Sequence, residues 1–196
     1  MNNIEFSINK IDEKLYEYMI GKSIPEDYKN DVEVEDLRYI KVGYIGFDGA
    51  AHQGELVVNK EVADDVLDIF KTLFENSYKI EKIKLVDEYM GDDNSSMADN
   101  NSSAFNYRVI PNTNRLSNHA AGRAIDINPL YNPYIVDGRI LPPEGEDYVD
   151  RSQDNDKYIK KGDLLYNTFI SHGWSWGGEW THAKDYQHFD KVEKGE

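Results

Sequence analysis

Cysteine is absent from this 196-residue chain, which removes disulfides, zinc–thiolate sites and thiol nucleophiles together. Any metal would have to be held by histidine and carboxylate. Basic residues are also scarce: 22 Lys and Arg stand against 37 Asp and Glu, a formal charge of −15. So few cations can hardly build the basic face that phosphate binding requires, so nucleic acid is excluded as a partner and the acidity reads as solubility. No apolar run approaches the ~20 residues of a membrane span, and none is expected. "MNNIEFSINK" lacks the basic start and apolar stretch of a signal peptide, so any export is expected to depend on a segment outside this sequence. What is present is ordinary for a globular protein: 39% hydrophobic residues, 30% charged and 14 tyrosines. A chain of this length buries roughly 70% of its unfolded surface, so folding needs no structural metal.

Along the chain, Ile11, Leu15, Tyr18 and Met19 recur at helical spacing before Gly21 and Pro25, which predicts a short N-terminal helix and a connector over residues 1–35. "LRYIKVGYIGFDGAAHQGELVVNK" alternates on both sides of a glycine-punctuated loop and reads as two strands. Asn59 is placed as an N-cap for the strongest helical pattern in the sequence, Val62, Val66, Ile69, Phe70, Leu73 and Phe74, with Asp64 and Asp65 in its first turn. "KIEKIKLVDEYM" reads as a strand and "GDDNSSMADNNSS" as a long polar loop. Counting from Asp92, that loop has no glycine at the sixth position and no glutamate at the twelfth, so a hand-type calcium site is rejected. "AFNYRVI" and "GRAIDINP" read as strands, separated from a last helix near residues 162–171 by a proline-rich excursion, and Gly173 ends that helix. His172 beside it reads as a helix C-terminal cation, and His52 as a loop residue. No repeat or linker divides the sequence. It predicts a single α+β domain over residues 36–196, a small antiparallel sheet with flanking helices, reached through the N-terminal segment.

The chemistry concentrates in "SNHAAGRAIDINP". In an extended "RAIDIN", Ala124, Asp126 and Asn128 share one face and Ile125 and Ile127 the other, so Asp126 points away from the apolar side. His119 lies an odd number of residues earlier and reaches that face only if Gly122 bends the chain. Small residues at 120, 121, 122 and 124 leave the space open. His188, in "DYQHFD", alternates with Phe189 in the same way. Two imidazoles and a carboxylate make a three-ligand catalytic zinc set with one position for water or substrate; a structural His–Asp hydrogen bond is the alternative that spacing leaves open.

These residues carry a resemblance. "SNHAAGRAID" resembles the S-x-H-x-x-G-x-A-x-D signature of the zinc D-alanyl-D-alanine carboxypeptidase family, matching at Ser117, His119, Gly122, Ala124 and Asp126. Asp185-Tyr186-Gln187-His188-Phe189 is similar to the family's second element, and "SAFNYR" to the segment that bears its substrate-binding arginine, here Arg108. The family also contains D-Ala-D-Ala dipeptidases and L-alanyl-D-glutamate endopeptidases, and its fold is shared with the Hedgehog signalling domain. The resemblance covers about residues 40–190. It implies that His119, Asp126 and His188 hold Zn²⁺, that Asp185 is the general base and acid, and that Arg108, with Ser117 nearby, binds substrate. A structural salt bridge is the other reading of Arg108, and Glu179 with His182 forms a second acid-x-x-His set that could replace Asp185 and His188. The preferred set is the later one. Trp174, Trp176 and Trp180 are read either as cleft lining or as core.

The implied function is a zinc metallopeptidase acting on peptidoglycan stem peptides, most simply a D-alanyl-D-alanine carboxypeptidase working as a monomer outside the membrane, at the cell wall. An L-alanyl-D-glutamate endopeptidase, or an inactive zinc-containing binding module on the same fold, are the alternatives.

Overall fold

In a computed structural model that describes residues 4–26, 33–110 and 115–192, the longest strands are β2 and β3, and both of their faces are covered. An edge strand β1 (Ser7–Lys10) and helix α1 (Glu13–Met19) precede β2 (Leu37–Ile45) and β3 (Ala51–Asn59), which pair antiparallel along their full length, with β1 added on the far side of β2. Period-two alternation sends Ile40, Val42, Leu56 and Val58 into the main core and Leu37 and Val57 to the opposite side, where Met19, Ile24, Leu85 and Phe105 meet them. The expected N-terminal helix is α1, capped by Asp12, whose side chain accepts from the Leu15 amide at 2.8 Å. Residues 27–32 of the expected connector lie outside the described residues.

Helix α2 (Ala63–Glu75) buries Val66, Ile69, Phe70 and Leu73 against β2, as its spacing predicts. Its N-cap is Val62 rather than Asn59, without a side-chain cap; Asp64 and Asp65 lie in the first turn, where their charge suits the helix dipole. Asn59 ends β3, where its side chain accepts from the Glu61 amide at 3.0 Å and donates to the Ala121 carbonyl at 3.3 Å. The expected strand after α2 shrinks to β4 (Lys82–Ile83) and gives way to a 3₁₀ turn at Val86–Tyr89. Buried Asp87 in that turn accepts from the Ser23 hydroxyl at 2.7 Å, which ties the turn to the N-terminal segment.

The stretch read as a long loop contains helix α3 (Asp93–Ala98) and strand β5 (Asn101–Ser102), which pairs parallel with β4. Polar composition concealed both. Asp92 caps α3 through the Ser95 amide at 2.8 Å, and Asn101 replaces ladder bonds by exchanging hydrogen bonds with the Lys84 backbone at 2.8 and 3.1 Å. "AFNYRVI" forms no strand; its backbone groups are used singly, Phe105 donating to Val57 and Tyr107 to Ser23.

Strand β6 (Ala124–Asp126) is followed by a hairpin, β7 (Tyr134–Val136) with β8 (Arg139–Leu141), inside the proline-rich excursion. Helix α4 (Leu164–Ser171) ends at Gly173 as expected, and β9 (Ser175–Trp176), β10 (Lys184–Asp185) and β11 (His188–Asp190) follow. The architecture is α+β, but among the described residues the single small sheet of the sequence reading is four: β1-β2-β3, β6-β11-β9, β7-β8 with β10, and β4-β5. His52 sits on β3 rather than in a loop and pairs with Asp48 at 3.0 Å. His172 caps α4, its Nδ1 donating to the Thr168 carbonyl at 2.9 Å.

Candidate metal centre

Two short segments from distant parts of the chain are set face to face. Residues 117–122 form a tight turn in which Ala120 donates to the Ser117 carbonyl at 2.9 Å and Gly122 to the His119 carbonyl at 3.0 Å. The Ser117 hydroxyl accepts from the His119 amide at 3.3 Å. Gly122 supplies the anticipated bend, with φ +66, and lies against the end of β3: an added Cβ would fall 2.6 Å from the Asn59 nitrogen, which itself donates to the Gly122 carbonyl at 2.8 Å. The turn thus ends in β6 with its ring-bearing residue directed back toward the strand.

His119 is oriented by a backbone group. Its Nδ1 donates to the Ala104 carbonyl at 2.6 Å, which leaves Nε2 with a lone pair facing inward. Ala104 is placed for this because the neighbouring Ser103 bridges Asp126, each donating to the other's carbonyl at 3.1 and 2.9 Å. β11 runs antiparallel to β6 with His188 directly opposite Asp126. His188 Nδ1 lies 3.1 Å from Asp126 Oδ1, His119 Nε2 lies 3.2 Å from Asp126 Oδ2, and the two imidazole nitrogens are 3.2 Å apart. All three residues are buried, and one ligand atom from each falls within 4.8 Å of the others.

Those separations fit a metal. Four donors at about 2.0–2.1 Å around a tetrahedral ion are roughly 3.3 Å from one another, close to the spacing found here for two nitrogens and an oxygen. Burial would raise the Asp126 carboxyl, but the charge and hydrogen bonds of His119 and then His188 outweigh it and hold the group far below the usual carboxylate range. Burial would lower His188, but its hydrogen bond to Asp126 and the nearby carboxylate of Asp190 win and push it up to about 10.

Asp185 joins this centre from β10. It is buried, with Gly177 packed so close that a Cβ there would lie 2.7 Å from the Asp185 Cβ. Burial, with the adjacent negative charge of Asp126, raises its carboxyl to about 7 against the opposing pull of His188 and Arg108. Its Oδ1 has no hydrogen-bond partner. Arg108 faces this group closely enough to act on its titration and is also engaged by Asp93, Nη2 to Oδ2 at 2.6 Å, so the guanidinium forms the salt bridge that was one of its two readings while its buried Nε is unpartnered. Ser117 is buried in the turn beside His119.

The rival acid-x-x-His set stays outside. Glu179 is exposed and paired with Lys161 at 2.6 Å, and His182 is exposed, stacked on Trp180 with centroids 5.7 Å apart. Trp174 and Trp176 are core residues, whereas the Trp180 ring covers His188 at 5.4 Å. Sequence reasoning missed Ala104, Asn118, Asp190 and Asp93. The first acts through a backbone carbonyl that no side-chain pattern records; the other three lie inside or near the quoted motifs and acquire partners only on folding.

Residues 111–191 match the sequence profile of the D-alanyl-D-alanine carboxypeptidase family, a span that contains both motifs and excludes Arg108. The match bears out the family resemblance drawn from them. No curated protein and no solved structure matches the chain.

Proposed function

We propose, from the kinship of residues 111–191 with the D-alanyl-D-alanine carboxypeptidases, that this protein is a zinc-dependent metallopeptidase that hydrolyses peptide bonds in peptidoglycan stem peptides, with the terminal D-Ala-D-Ala bond as its substrate. One observation carries the reading: a buried His119–Asp126–His188 cluster with ligand spacing beside Asp185, a buried carboxylate whose Oδ1 lacks any donor. A structural His–Asp hydrogen bond requires neither the second imidazole nor the unpartnered acid.

His119 Nε2, an Asp126 oxygen and His188 Nδ1 would hold the ion, which when bound supplies Lewis acidity and a nucleophilic water at neutral pH. Asp185 takes the proton from the attacking water through Oδ1 and returns it to the leaving amine. Its raised pKa, near neutrality, suits both halves of that transfer. Arg108 binds the substrate's terminal carboxylate or steadies the developing oxyanion with the guanidinium donors that Asp93 leaves free, Nε among them. Ser117 accepts the His119 amide and keeps its hydroxyl proton to donate to substrate. Trp180 shields one side of His188 from water. A wall substrate places the work outside the membrane; no helix among the described residues is long and apolar enough to cross one.

The test is digestion. Zinc-loaded protein is incubated with a stem pentapeptide and with purified peptidoglycan, and products are read by mass spectrometry. Wild type should release terminal D-alanine and Asp185→Ala should not. Arg108→Ala should lose this end-cutting, whereas internal cleavage by wild type without release of terminal D-alanine would instead assign the L-alanyl-D-glutamate endopeptidase. If wild type and Asp185→Ala both leave every bond intact, the protein is not this peptidase.

A further inference from the structure

The two imidazoles of the metal centre present different nitrogens, and the structure supports each differently. His119 offers Nε2 because Nδ1 is tied to a main-chain carbonyl. His188 offers Nδ1, and its other nitrogen, Nε2, faces Asp190 Oδ2 at 3.6 Å, within ion-pair range though beyond a direct hydrogen bond. That same Asp190 oxygen accepts from Asn118 Nδ2 at 2.8 Å. Asp190 is buried and lies two residues after His188 on β11, where side chains share a face. Among the described residues, those able to meet on an ion are His119, Asp126 and His188, without Asp190.

Resting on the metal reading above, we propose that Asp190, anchored by Asn118, is a positioning residue that holds His188 with Nε2 protonated and Nδ1 directed at the metal. An imidazole turned over about its Cβ–Cγ bond would put the carbon Cδ2 where Nδ1 now stands and leave Asp190 facing Cε1, which cannot donate to it. A carboxylate behind one nitrogen removes that freedom and makes the ring a better donor. Asn118 adds a coupling. It immediately precedes His119, so one turn presents the first ligand and, through Asn118, steadies the support of the second. The Asn118 backbone is spent within the turn, accepting from Ala121 and Arg123 at 3.2 and 2.9 Å, which fixes the base from which the amide reaches Asp190. The Trp180 ring against His188 closes the other approach.

Zn²⁺ affinity, measured by competition with a chromophoric chelator, tests this together with ¹H–¹⁵N correlation of the histidine ring nitrogens in the zinc-loaded protein. Wild type should show His188 protonated at Nε2. Asp190→Ala should bind zinc about 10–100-fold more weakly and lose the single His188 ring signature. Asp190→Asn, which keeps an acceptor oxygen of the same size, should recover part of the affinity. Asn118→Ala should weaken binding in the same direction, and it carries the test if Asp190→Ala does not fold. A purely structural role would lower stability and leave zinc affinity and ring protonation unchanged. Equal affinity in wild type, Asp190→Ala and Asn118→Ala would overturn the positioning role while leaving the metal centre standing. Failure of wild type itself to take up zinc would remove the centre and this role together.

Discussion

Replacing Gly122 with alanine tests how the turn that bears His119 is held. The backbone there has φ +66, a left-handed conformation that costs an L-residue about 1–2 kcal/mol. The added Cβ would also lie 2.6 Å from the Asn59 nitrogen, a main-chain atom that cannot rotate aside. Relief means moving the turn away from the end of β3 and losing the Asn59-to-Gly122 hydrogen bond of 2.8 Å, worth about 0.5–1.5 kcal/mol. Alanine returns some of this by restricting the unfolded chain, about 0.4–1 kcal/mol. The net expectation is about 0.5–3 kcal/mol of destabilisation, or roughly 1–12 °C in Tm for a domain of this size. Gly138 is the matched control, because its φ is +74 but nothing lies within 4 Å of its added Cβ. Gly138→Ala should therefore show the conformational cost alone. Thermal unfolding of the metal-free proteins reads both. If Gly122→Ala melts with Gly138→Ala, the contact with Asn59 does not hold the turn and the argument fails.

Two further outcomes follow from the centre. His119→Ala and Asp126→Ala should each lose zinc, read by elemental analysis after dialysis, since each removes one of the three residues proposed as ligands; stoichiometric metal in both would dispose of the site. In metal-free protein, Asp185 titrates near 7 when folded against an ordinary 3.8, so the folded state binds its proton more tightly and stability falls as pH rises from about 4 through 7. Asp185→Asn lacks that slope and should gain on wild type by roughly 2.5 kcal/mol between pH 5 and 8, measured by urea unfolding in a chelator; parallel pH profiles would show that the carboxyl is not held in its protonated form by burial.

Local physics made much of this protein readable in advance. Period-two alternation in 37–59 and the helical spacing of Val66, Ile69, Phe70 and Leu73 survive folding because burial on a fixed face is what each pattern encodes. The motif residues His119, Asp126, Asp185 and His188 were likewise visible, since their side-chain types declare their chemistry. Residues 91–103 were misread because a six-residue helix and a two-residue strand are too short to show a period, and both are held by asparagine and aspartate side chains whose partners are distant in sequence. The excursion after Asn128 hid a hairpin for a similar reason: three-residue strands β7 and β8 carry almost no pattern, and only the Asp137-Gly138 pair, both at positive φ, marks the turn.

By itself, then, the sequence determined the side chains able to ligate a metal, the bend at Gly122 and the strands that carry Asp126 and His188. Which histidine nitrogen faces inward was decided by tertiary structure, through the Ala104 carbonyl on one ring and Asp190 behind the other. So was the choice of Asp185 over Glu179, because chain pairing buries one carboxylate beside Asp126 and leaves the other in solvent with Lys161. Residue identity sets what a group can do, but its protonation and direction depend on neighbours that only the folded chain brings together.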